Sequence, residues 1–122
     1  MSRALLLVDH GSRRREAIDQ FEALARMLRD RVTDEIVLTA HLELVPPTIG
    51  EGIDACVSTG ADTIIVHPYF LGPGRHTIRD IPDQVAEAAK RHPKVQIRIS
   101  PPLGLHPKLV DVILDRVGIS QD

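Results

Sequence analysis

Two histidines stand where apolar runs give way to helical patterns: His10, followed by Gly11, and His76, preceded by Gly74 and Arg75. A neutral imidazole accepts a proton near pH 7 or gives a lone pair to a divalent metal, and two on one rim can do both in turn. Glu43 adds a carboxylate that can orient a ligand histidine, take up a released proton or complete a transient metal site, and the sequence leaves these three roles open. The chain has one cysteine and no C-x-x-C motif. One or two imidazoles with a carboxylate, unlike a thiolate-rich or four-ligand cage, leave positions open for water and substrate. Such a set is suited to passing an ion on rather than storing it.

These residues must be positioned by the elements around them. Thr63-Ile64-Ile65-Val66 is an apolar β-branched run that stops at His67-Pro68, because proline has no N–H for a sheet ladder and forces the residue before it to be extended. A loop holding Gly72, Pro73 and Gly74 follows, then Arg75 and His76, placed just before a helix predicted from about Ile81 to Arg91. Pro82 belongs to the first turn of that helix, and Ile81, Val85, Ala88 and Ala89 face inward. The first strand, about Ala4 to Val8, is apolar at every position, as a central parallel strand covered on both faces requires. Ser12 is placed to cap the next helix, in which Ala17, Ile18, Phe21, Leu24, Ala25, Leu28 and Val32 recur at three- and four-residue spacing.

The second strand, about Glu35 to Leu44, alternates Ile36, Leu38, Ala40, Leu42 and Leu44 on one face with Val37, Thr39, His41 and Glu43 on the other. Pro46-Pro47 ends it, Thr48 and Glu51 have the pattern of a capping box, and the helix behind them carries Ile49, Ile53, Cys56 and Val57 before Gly60. A fourth strand, Val95 to Ile99, precedes a last helix with Leu109, Val110, Ile113, Leu114 and Val117 before Gly118. The alternation predicts an α/β fold, one small doubly wound lobe over residues 1–122. Its four-stranded parallel sheet has the order 2-1-3-4, with right-handed crossovers and helices on both faces. The carboxyl-end loops then gather on one rim, where ligands bind at the switch in strand order. That rim collects His10, Glu43, His67, the segment from Gly72 to His76 and the segment from Pro101 to His106.

Composition removes several classes of function. At 122 residues, 43% hydrophobic and 26% charged, the chain suits one domain with its own core and is too short for two. Lysine and arginine number 15 against 17 acidic residues, a net charge of -2 that gives no field favouring nucleic acid or an anionic membrane. Only 2% of residues are aromatic, so stacking platforms for single strands are absent as well. The apolar run after Met1 is interrupted by Asp9-His10 far below membrane-spanning length and is read as a strand, not a signal peptide. Cys56 alone excludes an internal disulfide framework and fits a cytoplasmic location. Neither G-x-x-x-x-G-K-[ST] nor G-x-G-x-x-G follows the first strand, which argues against a nucleotide or phosphate-ester enzyme.

Taken together, Asp9-His10-Gly11-Ser12-Arg13, Ala40-His41-Leu42-Glu43, the Pro68 to Pro82 loop with Phe70-Leu71, Gly74, His76 and Asp80-Ile81-Pro82, and Leu103-Gly104-Leu105-His106-Pro107 resemble the short class II chelatases. These are the sirohydrochlorin metal chelatases of the CbiX and SirB type, and the similarity runs in order over nearly the whole chain. The resemblance implies insertion of Co²⁺ or Fe²⁺ into a reduced, carboxylate-rich tetrapyrrole in cobalamin or sirohaem synthesis, with Ni²⁺ a further candidate. It implies no permanently bound cofactor. His10 and His76 would be the metal-binding pair, acting as catalysts with Glu43, while Gly11, Phe70, Leu71 and Gly74 would contact the macrocycle. Arg13, Arg75 and Arg79 would pair with its carboxylates, with Arg14 beside them. A macrocycle needs burial on both faces and one lobe offers one wall, so a homodimer is expected.

Plainer readings compete at several positions. His41 can simply pack beneath the rim, His67 is extended by Pro68 and at best supports the site, His92 suits a helix C-terminus, and His106 before Pro107 suits a helix cap. Arginines after Ser12 can be a solvated helix face. In place of catalysis, the same groups would serve a metal or tetrapyrrole carrier that turns nothing over.

Overall fold

The structure, a computed structural model, describes residues 2–72 and 74–120, and at residues 75–78 the main chain alone. Eight elements alternate strictly: β1 (Arg3–Asp9), α1 (Arg15–Arg31), β2 (Ile36–His41), α2 (Ile49–Ser58), β3 (Thr63–Pro68), α3 (Arg75–Ala89), β4 (Gln96–Ile99) and α4 (Pro107–Val117). The sheet order is β2-β1-β3-β4 and every pairing is parallel, as the alternation of strands and helices predicts. β1 and β3 lie at the centre, and their unbroken apolar runs answer to burial on both faces.

Two unequal layers cover the sheet. On one face Leu6, Val8, Ala40, Ile64 and Val66 meet Ile49, Ile53 and Cys56 of α2 and Ile81, Val85 and Ala88 of α3 in a single core. On the other, Leu7 and Val37 meet Phe21 and Ala25 of α1 in a smaller cluster that Tyr69 joins. The capping box at the start of α2 is present, with Thr48 Oγ1 accepting from Glu51 N–H at 3.1 Å and Glu51 Oε1 accepting from Thr48 N–H at 2.8 Å. Burial raises the Cys56 thiol to about 11, which keeps it protonated and inert.

Several local expectations are corrected. β2 ends at His41 rather than near Leu44: the chain bends from residue 42 onward and reaches the left-handed region at Leu44, φ 76°. The end of β3, by contrast, falls at Pro68 as expected: Tyr69 N–H donates to Val8 O at 2.7 Å and Ser100 N–H donates to Val66 O at 2.9 Å, so the N–H that Pro68 lacks would point past the end of β4. α3 begins at Arg75, which puts Arg75 and His76 in its first turn and Pro82 well inside it. Pro82 is exposed, so its lost hydrogen bond lies on the solvent side while Ile81, Val85 and Ala88 stay buried. Ser12 is not the cap of α1; that position is Arg14, whose N–H donates to Ser12 Oγ at 3.0 Å.

The last helix differs most. His106 does cap it, its Nδ1 accepting from Lys108 N–H at 3.1 Å, and Gly118 ends it at φ 79°. Yet among the described residues no member of α4 is buried, and Val110, Val112, Ile113 and Val117 are 50–60% exposed. Periodicity shows which side of a helix is apolar and not what covers it. A cleft of about 550 Å³ separates α4 from α1, with Val112 and Arg116 on one wall and Gln20, Leu24 and Met27 on the other.

A Cβ at Gly52 of α2 would come within 2.9 Å of both Ala40 Cβ and Leu6 Cδ1, atoms fixed in the core. Gly52→Ala is therefore expected to lower the free energy of unfolding by about 1–3 kcal/mol through overpacking, more than the roughly 1 kcal/mol of helix propensity it adds. A urea midpoint at or above that of the wild type would contradict this packing.

Candidate functional site

Register decides which side chains meet on the rim. In the β1–β2 ladder the last facing pair is Asp9 and His41. Beyond it the two chains stay laced, because Leu42 N–H donates to Asp9 O at 2.9 Å and Glu43 N–H donates to His10 O at 3.2 Å. His10 and Glu43 therefore leave the sheet side by side. His10 Nε2 lies 2.8 Å from Glu43 Oε1, and both side chains are 55% exposed. A carboxylate only accepts, so Nε2–H donates to Glu43 and a neutral His10 presents its lone pair at Nδ1.

Gly11 makes this approach feasible. It sits at φ 104°, and a Cβ there would fall 1.9 Å from the main-chain oxygen of Glu43. Phe70 bounds the site on the β3 side, its ring edge-to-face with His10 at 6.3 Å between centroids and 86° between planes. Leu103 N–H donates to Phe70 O at 3.0 Å and so ties the loop after β4 to the same corner. Gln84 of α3 donates from Nε2 to Leu42 O at 3.4 Å, joining that helix to the turn that carries Glu43. Among the described residues no group of three or more His, Cys, Asp and Glu side chains is gathered as a metal cage.

The CbiX family model matches residues 4–120, nearly the whole chain. The chain belongs to the CbiX family. It is similar to the chloroplastic sirohydrochlorin ferrochelatase of Arabidopsis thaliana, 42% identical over 93% of this chain and 50% of that one. It is also similar to the sirohydrochlorin cobaltochelatase of Methanocaldococcus jannaschii, 31% identical over 93% of this chain and 96% of that one. Among solved structures, the sirohydrochlorin chelatase SirB of Bacillus subtilis subspecies spizizenii in complex with cobalt superposes with a TM-score of 0.91 at 35% identity, over 97% of this chain and 50% of that one. The chain thus spans about half the length of the first curated relatives it matches.

Within this CbiX-family chain, the structure brings together His10, Gly11, Glu43 and Phe70 of the residues singled out in the sequence. Arg13 and Leu71 are exposed on loops, Gly74 is exposed just ahead of α3, and Arg79 is exposed on α3. Arg14 is the exposed N-cap of α1. The side chains of Arg75 and His76 lie outside the described residues, so the partner proposed for His10 is placed by its main chain alone.

The remaining histidines have structural partners. His67 Nδ1 is 2.8 Å from Ser100 Oγ, and burial holds its imidazole below the usual range, partly offset by a hydrogen bond to the Pro101 carbonyl. His92 is held by more than a helix end: its Nε2 lies 2.7 Å from Asp54 Oδ1, which also accepts from Arg91 Nη2 at 2.9 Å. Those two bonds, His92 first, keep the Asp54 carboxyl below its ordinary value. Sequence reasoning passed over Asp9, whose Oδ1 accepts from His41 Nδ1 at 2.6 Å, because only the register of β1 on β2 places the two face to face.

Gly11→Ala is expected to force the turn away from Glu43 and part His10 from its carboxylate, since both the positive φ and the 1.9 Å contact forbid a side chain. A crystal structure of the folded variant with His10 and Glu43 still in contact would refute this.

Proposed function

We propose that the protein inserts Co²⁺ or Fe²⁺ into sirohydrochlorin, in cobalamin or sirohaem synthesis. The observation that carries this reading is the exposed His10–Glu43 pair at the carboxyl rim, at 2.8 Å, in a chain that matches the CbiX model from residue 4 to residue 120. Metal insertion releases two pyrrole protons for each ion that enters. A neutral His10 accepts one at Nδ1 or holds the ion there, while Glu43 fixes the ring and stabilises the imidazolium that forms. His76, in the first turn of α3, is proposed as the second imidazole, so that one ring takes the first proton while the other hands over the metal and then, its lone pair freed, takes the second.

The Phe70 ring supplies an apolar wall beside His10, with Leu71 and Gly74 next along the loop. Arg13, Arg75 and Arg79 are proposed to pair with the macrocycle carboxylates, and the main chain at Gly11 to approach it closely. No helix among the described residues is long and apolar enough to cross a membrane, and a single buried thiol suits a reducing, cytoplasmic compartment. The second wall of the pocket is proposed to come from another copy of the chain in a two-fold homodimer. The uncovered apolar side of α4 supports such a partner.

The reading is tested by anaerobic absorbance of sirohydrochlorin with Co²⁺ or Fe²⁺ and catalytic amounts of protein. Many turnovers are expected, with His10→Ala and His76→Ala each slower by about 10²-fold or more. A spectral change that saturates at stoichiometric ligand without turnover would make the protein a carrier instead. Light scattering at micromolar concentration should give twice the mass of the chain; an active monomer would remove the dimer.

A further inference from the structure

Directly behind the rim, on the opposite face of the sheet from the His10–Phe70 contact, lies a polar pair that the proposed chemistry does not use. Asp9 Oδ1 accepts from His41 Nδ1 at 2.6 Å, and His41 is only 4% exposed. The imidazole tilts against Phe21 at 5.8 Å between centroids, and Phe21 stacks on Tyr69 at 5.7 Å. His41 is fixed through its main chain as well, its N–H donating to Pro47 O at 2.9 Å. An apolar residue at this buried position would satisfy packing alone, and a buried imidazole costs stability unless it is bonded. What the pair adds is direction: it fixes the side chain of Asp9, one peptide before His10, to His41, two residues before Glu43.

We propose that Asp9 and His41 are positioning residues for the rim, a part-buried clamp that holds the ends of β1 and β2 so that His10 and Glu43 stay in register with each other. Neither touches substrate in this scheme. They act through the next residues, by keeping β1 and β2 from sliding or splaying where Leu42 N–H meets Asp9 O and Glu43 N–H meets His10 O. The functional consequence rests on the chelatase reading, and the geometric claim does not.

The test uses Asp9→Ala, Asp9→Asn and His41→Phe in the intact protein. The asparagine oxygen can still accept from Nδ1–H, and phenylalanine keeps a ring against Phe21 without the N–H. With sirohydrochlorin and Co²⁺, Asp9→Ala and His41→Phe are expected to retain a cooperative thermal transition and an unchanged KM while kcat falls about 10–100-fold. Asp9→Asn should recover most of kcat. Should Asp9→Ala fail to fold, His41→Phe and Asp9→Asn decide the question. Wild-type kcat in folded His41→Phe, or a folded Asp9→Asn as impaired as His41→Phe, would overturn the proposal. If the wild type shows no turnover the chelatase reading fails by itself, and the His10 Nε2–H resonance then decides: it should weaken or shift in His41→Phe and persist in Asp9→Asn, and an unchanged resonance in His41→Phe would overturn the clamp.

Discussion

At the carboxyl end of the central strand, Gly11 lies so close to the main-chain oxygen of Glu43 that a Cβ would fall 1.9 Å from it. The rest of the rim depends on that contact. Two strand ends can approach this closely only if the residue after the histidine has no side chain and can adopt a positive φ, and Gly11 meets both conditions. Given the approach, the hydrogen bond from Glu43 N–H to His10 O follows, and the imidazole and carboxylate emerge already paired. A site of this kind needs little reorganisation when an ion or a proton arrives.

Alternation along β1 divides the work between the two layers. Asp9 points to the side of α1, where His41, Phe21 and Tyr69 gather, while His10 points to the side of the larger core and meets Phe70. The larger core, built on α2 and α3, gives the sheet a rigid base, and α3 also carries the main chain of His76 toward the same rim. The layer made by α1 and α4 is thinner and holds the cleft of about 550 Å³. The apolar groups uncovered on α4 thus belong to the layer least able to stand alone.

Much of this was legible in the sequence, and the reasons are specific. The unbroken apolar runs at residues 4–8 and 63–66 forecast buried parallel strands, and Thr48 with Glu51 forecast a helix start that the structure bears out atom by atom. Such signals are local and need no knowledge of the partner. Pro82 misled for the same local reason: a proline is cheapest in a first turn, yet here the buried positions Ile81, Val85 and Ala88 keep the helix going through it. The apolar stripe of α4 was legible as a stripe, but its covering was not, since hydrophobicity does not name its partner.

The sequence by itself determined the alternation of elements, the strand order and the arrival of His10 and Glu43 on one rim, because periodicity and crossover handedness leave few other arrangements. Only the tertiary structure decided which groups touch. Pairing His10 with Glu43 and Asp9 with His41 required the register of β1 against β2, and a slip of one residue would have turned each side chain to the other face. That register is fixed by the packing of the whole sheet and by the fit of Gly11 under Glu43, which no local run of residues encodes.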